Sequence, residues 1–217
     1  SPLLSSYGVD AMVLDTVRER IALPDLGLEW VRVDPGTFCM GRDGAFADSG
    51  PAHAVEITSP FWLASRPVTQ ALYKRVMRKN PSKVIGDNLP VHRVSWYHAS
   101  EFCHRLTTLA RNREIIPSLA TVRLPTEAEW ELAQCEEAGG DQCAAVCPED
   151  LADSAWFAEN SGGKIREVGG KAENPRGLYD MLGNVREWCQ DWFGAHGPHR
   201  RTNPYGPEHA ERKVCKG

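Results

Sequence analysis

The sequence predicts an α+β fold built from short strands and short helices joined by long irregular loops. Three observations lead there. Apolar and polar residues alternate in several brief runs, the pattern of half-buried strands. Helical spacing of apolar residues is confined to a few windows with recognisable caps. No repeat of about 20–50 residues, heptad or low-complexity tract organises the chain.

Residues 10–21 are expected to form a helix, because Val13, Leu14, Val17 and Ile21 fall on one face and Pro24 and Gly27 end it. This makes 1–27 an N-terminal helical extension ahead of a main domain at 28–217. Residues 28–33 alternate as a strand, Pro35-Gly36 turns the chain, and 37–40 is a second strand. Residues 42–53 are rich in Gly, Asp and Ser and read as a loop. Two more strands are expected at 54–57 and 61–64. A helix at 68–77 has Thr69 as its N-cap, and a helix at 96–110 has Ser95, with Phe102, Leu106 and Leu109 on one face. Thr126 and Glu129 form a capping box that opens a helix running to about residue 134. The remaining third is read as irregular. A chain with so much irregular backbone must satisfy its polar groups with side chains, water or ions.

The 217 residues are 41% hydrophobic and 25% charged, which suits a globular domain with a sizeable core. A net charge of −4 gives no electrostatic footprint for nucleic acid. No run approaches the roughly 20 apolar residues of a membrane-spanning helix, and Ser1 to Leu4 lack the basic start of a signal peptide. The seven cysteines include Cys135, Cys143 and Cys147 in one polar stretch. Their spacing does not match paired zinc knuckles, so a disulfide within that loop is expected ahead of free thiols or a zinc site. A disulfide would suit an oxidising compartment, so an extracellular, surface or periplasmic location is favoured over the cytoplasm. Cys39, Cys103 and Cys189 lie inside predicted elements and read as small buried hydrophobes. Glu127, Glu129 and Glu131 read as a capping box with surface salt bridges, and Glu129 cannot share a helix face with the other two.

Five stretches occur in a telling order: 33–41 (VDPGTFCMG), 66–70 (RPVTQ), 89–99 (LPVHRVSWYHA), 123–131 (RLPTEAEWE) and 177–188 (GLYDMLGNVREW). Together they resemble the formylglycine-generating enzyme, or sulfatase-modifying factor, family. The resemblance implies that family's variant of the C-type lectin fold. In and around these motifs Trp96, Trp130, Trp156, Trp188 and Trp192 are expected to bury large area, and Gly41, Gly177 and Gly183 to take positive φ or pack closely. The resemblance also implies calcium, held by side-chain oxygens of Asp180 and Glu187 and backbone carbonyls of Gly183 and Val185, a donor set calcium accepts. The other reading is that Asp180 and Glu187 only hydrogen-bond loop amides.

The family enzymes use copper held by two cysteines near the C-terminus to oxidise a substrate cysteine. By register those cysteines would follow residue 217, so the catalytic C-terminal part is expected to be missing here. Cys215 falls before them and cannot by itself supply two thiolates. Two functions follow. One is a non-catalytic ligand- or protein-binding module, like displayed variable surface proteins of diversity-generating retroelements. The other is the copper-dependent oxidase. His196, His199, Arg200 and Arg201 are the candidate recognition residues of the polar tail, with a solvated loop as the bland alternative. Without a terminal segment, Val31 or Phe38 is expected to face an open sheet edge, completed by that segment or by a second chain.

Overall fold

The structure is a computed structural model that describes residues 8–10, 19–41, 50–135 and 151–217. Among the described residues, ten strands and five α-helices are arranged as three small sheets with helices against them. The largest sheet has the order β2-β3-β6-β1-β7: β2 is Arg20–Leu23, β3 Leu28–Val33, β6 Phe61–Ala64, β1 Gly8–Asp10 and β7 Val122–Arg123. Its strands are antiparallel, with Trp30 opposite Ala64 and Val31 opposite Leu63. A second sheet runs β4 (Gly36–Met40), β5 (His53–Ile57) and β9 (Arg201–Thr202), the last pair parallel. The third pairs β8 (Glu187–Trp192) with β10 (Lys213–Lys216).

The β3–β6 pair organises the interior. Strand side chains alternate between faces, and here both faces are apolar. Trp30 and Trp62 point into one core, with Tyr73 of α1 (Gln70–Met77) and with Phe102 and Leu106 of α2 (Trp96–Asn112). Val31, Val33, Phe61 and Leu63 point into a second core, with Trp130 and Leu132 of α3 (Glu127–Gln134), Leu178, Cys189 and Val214. Every residue of β6 is buried.

The predicted caps are present. Thr69 accepts from the Leu72 N–H at 3.2 Å and Ser95 from the His98 N–H at 3.3 Å. At α3 the Thr126 hydroxyl accepts the Glu129 N–H at 3.1 Å, and Glu129 accepts the Thr126 N–H at 2.8 Å. Glu129 is not a surface residue: it is 8% exposed and accepts both terminal nitrogens of Arg123, at 2.7 and 2.8 Å. One carboxylate thus caps the helix and neutralises the guanidinium.

The structure corrects several expectations. The helix expected at 10–21 has strand at both described ends, because Asp10 closes β1 and Arg20 and Ile21 open β2; residues 11–18 lie outside the described part. Strand β2 pairs with β3 through all four of its residues, so Arg20–Leu23 belongs to the main sheet. Val31 faces no open edge, since β3 is flanked by β2 and β6, whereas among the described residues Phe38 does lie on an edge strand, β4. Strand β8 lies in the C-terminal third of the chain, which was expected to be irregular. Trp130 is 3% exposed as expected, but Trp96, Trp156, Trp188 and Trp192 are only partly buried; Trp30 and Trp62, outside those motifs, fill the first core. Among the described residues no helix is long and apolar enough to cross a membrane.

Glu129→Ala removes a cap and the carboxylate that pairs with the half-buried Arg123 guanidinium. Chemical denaturation should show a loss of about 3–5 kcal/mol; a loss below about 1 kcal/mol would show that the pair contributes little.

Candidate functional site

The second core ends in a polar cluster where α3, β5, β8, β10 and the loop after β8 meet. Glu127 and Glu131 are one helical turn apart and so share a face of α3. Both reach Lys216 on β10, Glu127 at 3.1 Å and Glu131 at 2.5 Å. These carboxylates are only 14% and 15% exposed, so they form a half-buried triad rather than the surface salt bridges expected. The second Glu131 oxygen accepts the Gly41 N–H at 3.1 Å, which ties the end of β4 to the helix. Burial alone would lower the Lys216 ammonium, but the two carboxylates hold it well above its ordinary range.

Asp191 on β8 joins two segments. One oxygen accepts the Glu127 N–H at 2.9 Å, at the helix N-terminus, where a negative group is favoured. The other accepts the Gly206 N–H at 2.8 Å. Burial pushes the Asp191 carboxyl up, against the pull of those amides. His196 turns inward from the loop and faces Glu127 at 3.7 Å. His53 on β5 lies beside it, with ring centroids 5.3 Å apart, and is 3% exposed. The His53 Nδ1 is 3.0 Å from the Pro51 carbonyl oxygen, which places a proton on Nδ1. These residues, with Trp192 and Tyr205, line a cavity of about 30 Å³, room for about one water.

Of the four recognition candidates, His196 therefore stands apart from the three exposed ones. His196 is inside the cluster. His199 is exposed, Arg200 approaches Glu56 at 3.3 Å, and Arg201 lies on β9 and lines the cavity. The sequence reading missed His53, Asp191 and Lys216. Alternation along β5 was the available signal for His53, because it shares a face with Val55 and Ile57.

In the loop before β8, Asp180 and Glu187 are 3% and 1% exposed. Asp180 accepts the Gly169 N–H at 2.7 Å and the Asn184 side-chain amide at 3.3 Å. Glu187 accepts the Trp130 indole N–H at 3.0 Å. Burial raises the Asp180 carboxyl above its ordinary range, which neutral amide donors and Arg66 offset only in part. Gly183 has φ +119°, and a Cβ there would lie 2.2 Å from the Trp156 carbonyl oxygen, so only glycine fits. Among the described residues no three His, Cys, Asp or Glu are grouped to hold a metal.

Cys103 and Cys189 are buried free thiols as expected, held protonated by burial. Cys135 is also a free thiol, pushed up to about 11 by burial and by Glu131, so it takes no part in the expected loop disulfide; Cys143 and Cys147 lie outside the described residues. Cys39, expected as a buried thiol, is disulfide-bonded instead.

Residues 24–217 match the sulfatase-modifying factor enzyme 1-like domain. The chain belongs to this family. Among relatives, the serine/threonine-protein kinase pkn1 of Chlamydia caviae is 29% identical over all of this chain and 36% of that protein. The chaperone protein LppX of Paenibacillus barcinonensis is 31% identical over 80% of this chain and 75% of its own length. The formylglycine-generating enzyme of Thermomonospora curvata is 32% identical over 76% of this chain and 54% of that enzyme. The chain thus spans about a third of the kinase and half of the enzyme. Treponema denticola variable protein 1 superposes with a TM-score of 0.73 at 28% identity, over 88% of this chain and 83% of that one. PvdO from Pseudomonas aeruginosa shares the fold, with a TM-score of 0.67 at 23% identity over 87% and 81% of the two chains.

Lys216→Ala leaves two half-buried carboxylates facing each other. It should cost about 3 kcal/mol in denaturant unfolding, and adding Glu131→Gln should recover part of that loss. Purely additive losses would show that the three groups are not coupled.

Proposed function

We propose that this domain is a non-catalytic binding module that presents the loop after β8 to a protein or other surface ligand. The observation that carries this reading is the likeness to Treponema denticola variable protein 1 over most of both chains. The loop itself supports it. Residues 197–205 combine exposed His199, Arg200, Arg201 and Tyr205 on a base fixed by Asp191 and Asn203. Rigid scaffolds that carry variable loops are a common way to build recognition surfaces. The disulfide at Cys39 supports an extracellular, surface or periplasmic location.

A second reading, the copper-dependent oxidase, is favoured by the 32% identity to the Thermomonospora enzyme. An assay of the full-length gene product separates the two. With copper and oxygen, a peptide carrying Cys-x-Pro-x-Arg should yield no aldehyde if the binding reading holds. Aldehyde formation would establish the oxidase.

Calcium at the loop before β8 is a further part of the proposal. The donors there are oxygens, and Asp180 is a buried carboxylate with only amides bonded to it, so the residues fit a hard cation. Asp180, Glu187 and the carbonyls of Gly183 and Val185 would hold it. Melting in 1 mM calcium against excess chelator should raise the midpoint by several degrees, since an ion that binds only the native state stabilises it at about 100 Kd by roughly 2.7 kcal/mol. Equal midpoints would leave the loop ordered by amides alone.

A further inference from the structure

His196 sits where the candidate binding loop meets the scaffold. Each neighbouring element contributes a charged or titratable group. Glu127 and Glu131 come from α3, Lys216 from β10, Asp191 from β8, His53 from β5, Arg201 from β9 and Tyr205 from the loop itself. The two α3 carboxylates face one ammonium, and a proton on His196 supplies the second positive charge. His53 does not serve instead. Its Nδ1–H is committed to the Pro51 carbonyl, and its Nε2 is buried with no hydrogen-bond partner among the described residues. The imidazole that faces an α3 carboxylate is therefore His196, with the His53 ring beside it at 5.3 Å between centroids.

What that proton holds is specific. The Phe193 N–H donates to the Arg212 carbonyl at 2.8 Å, and the Asn203 side chain bonds Thr58 at 2.7 and 2.9 Å. Between those anchors, the ion pair of His196 with Glu127 ties residues 194–199 to α3.

We propose that His196 is a proton-operated clamp: when protonated it holds residues 194–199 against α3, and when neutral it lets them open, changing the recognition surface. The clamp rests on the binding reading above for its use, but not for its test. The direction of titration agrees with it. The Glu127 carboxylate raises His196 above its ordinary value of about 6.5, against the opposing effect of burial. A group raised in the folded state contributes stability that is complete below its unfolded value and is lost as pH climbs through its folded value. The clamp is thus closed in mildly acidic solution and opens at higher pH. Burial works against the Glu127 charge, but His196 and Lys216 hold that carboxylate below its ordinary range, so the pair persists on the acidic side.

The test combines histidine NMR titration with amide hydrogen exchange on the whole chain. His196 should titrate above 6.5. Exchange of the amides of 194–199, corrected for intrinsic rates, should accelerate between pH 6 and pH 8, by up to about tenfold per unit across the folded value. In His196→Gln that pH dependence should vanish. Should this variant fail to fold, Glu127→Gln serves, and it should bring the His196 titration down. Three results would overturn the clamp: His196 titrating at or below 6.5, pH-independent exchange in the unaltered chain, or the same pH dependence in His196→Gln. No readout involves a ligand, so the lack of a binding partner would count against the proposed function alone.

Discussion

The structure depends on one pair of strands buried on both faces. Strands β3 and β6 place Trp30 and Trp62 on one side and Val31, Phe61 and Leu63 on the other, so two cores share a single wall. A sheet with one solvated face would alternate apolar and polar along its length; β6 is apolar at every position, and that run sets the layer order. Helices α1 and α2 must cover one side, while α3, β8 and β10 must cover the other. Because α3 belongs to the second core, its outer face meets the ends of β4, β8 and β10, and the polar cluster forms there.

That cluster shows how a fold rich in loops is held without long elements. Glu129 caps α3 and pairs with Arg123, Glu127 and Glu131 hold Lys216, and Asp191 bonds both the helix N-terminus and the loop at Gly206. Buried ion pairs contribute less to stability than their Coulomb attraction suggests, because desolvation opposes it. Here Glu127, Glu131 and Asp191 also accept or face groups from distant segments, so the cluster fixes which segments meet.

The legible parts of the fold were those encoded locally. The caps at Thr69, Ser95 and Thr126 lie within a few residues of the amides they bind, and β3 announces itself by alternation. The spacing of Val13, Leu14, Val17 and Ile21 suits a helix, but periodicity cannot register that β2 has a partner in β3. Strand β8 was hidden because its start lies in a Gly- and Asn-containing loop, and its pairing with β10 joins residues far apart in sequence. The candidate site was half legible for the same reason. Residues Asp180, Gly183, Val185 and Glu187 sit in one motif, whereas the cluster draws residues 53, 127, 131, 191, 196 and 216 from separate segments that only folding brings together.

The account describes a rigid two-sided wall that carries a labile recognition loop. Native-state hydrogen exchange at one mildly alkaline pH, read residue by residue, measures that division. The amides of β3 and β6 should exchange only by global unfolding, and those of residues 194–199 by local opening with a free energy several kcal/mol smaller. Protection of the loop equal to that of β6 would contradict it, because the surface assigned to recognition would then be part of the scaffold.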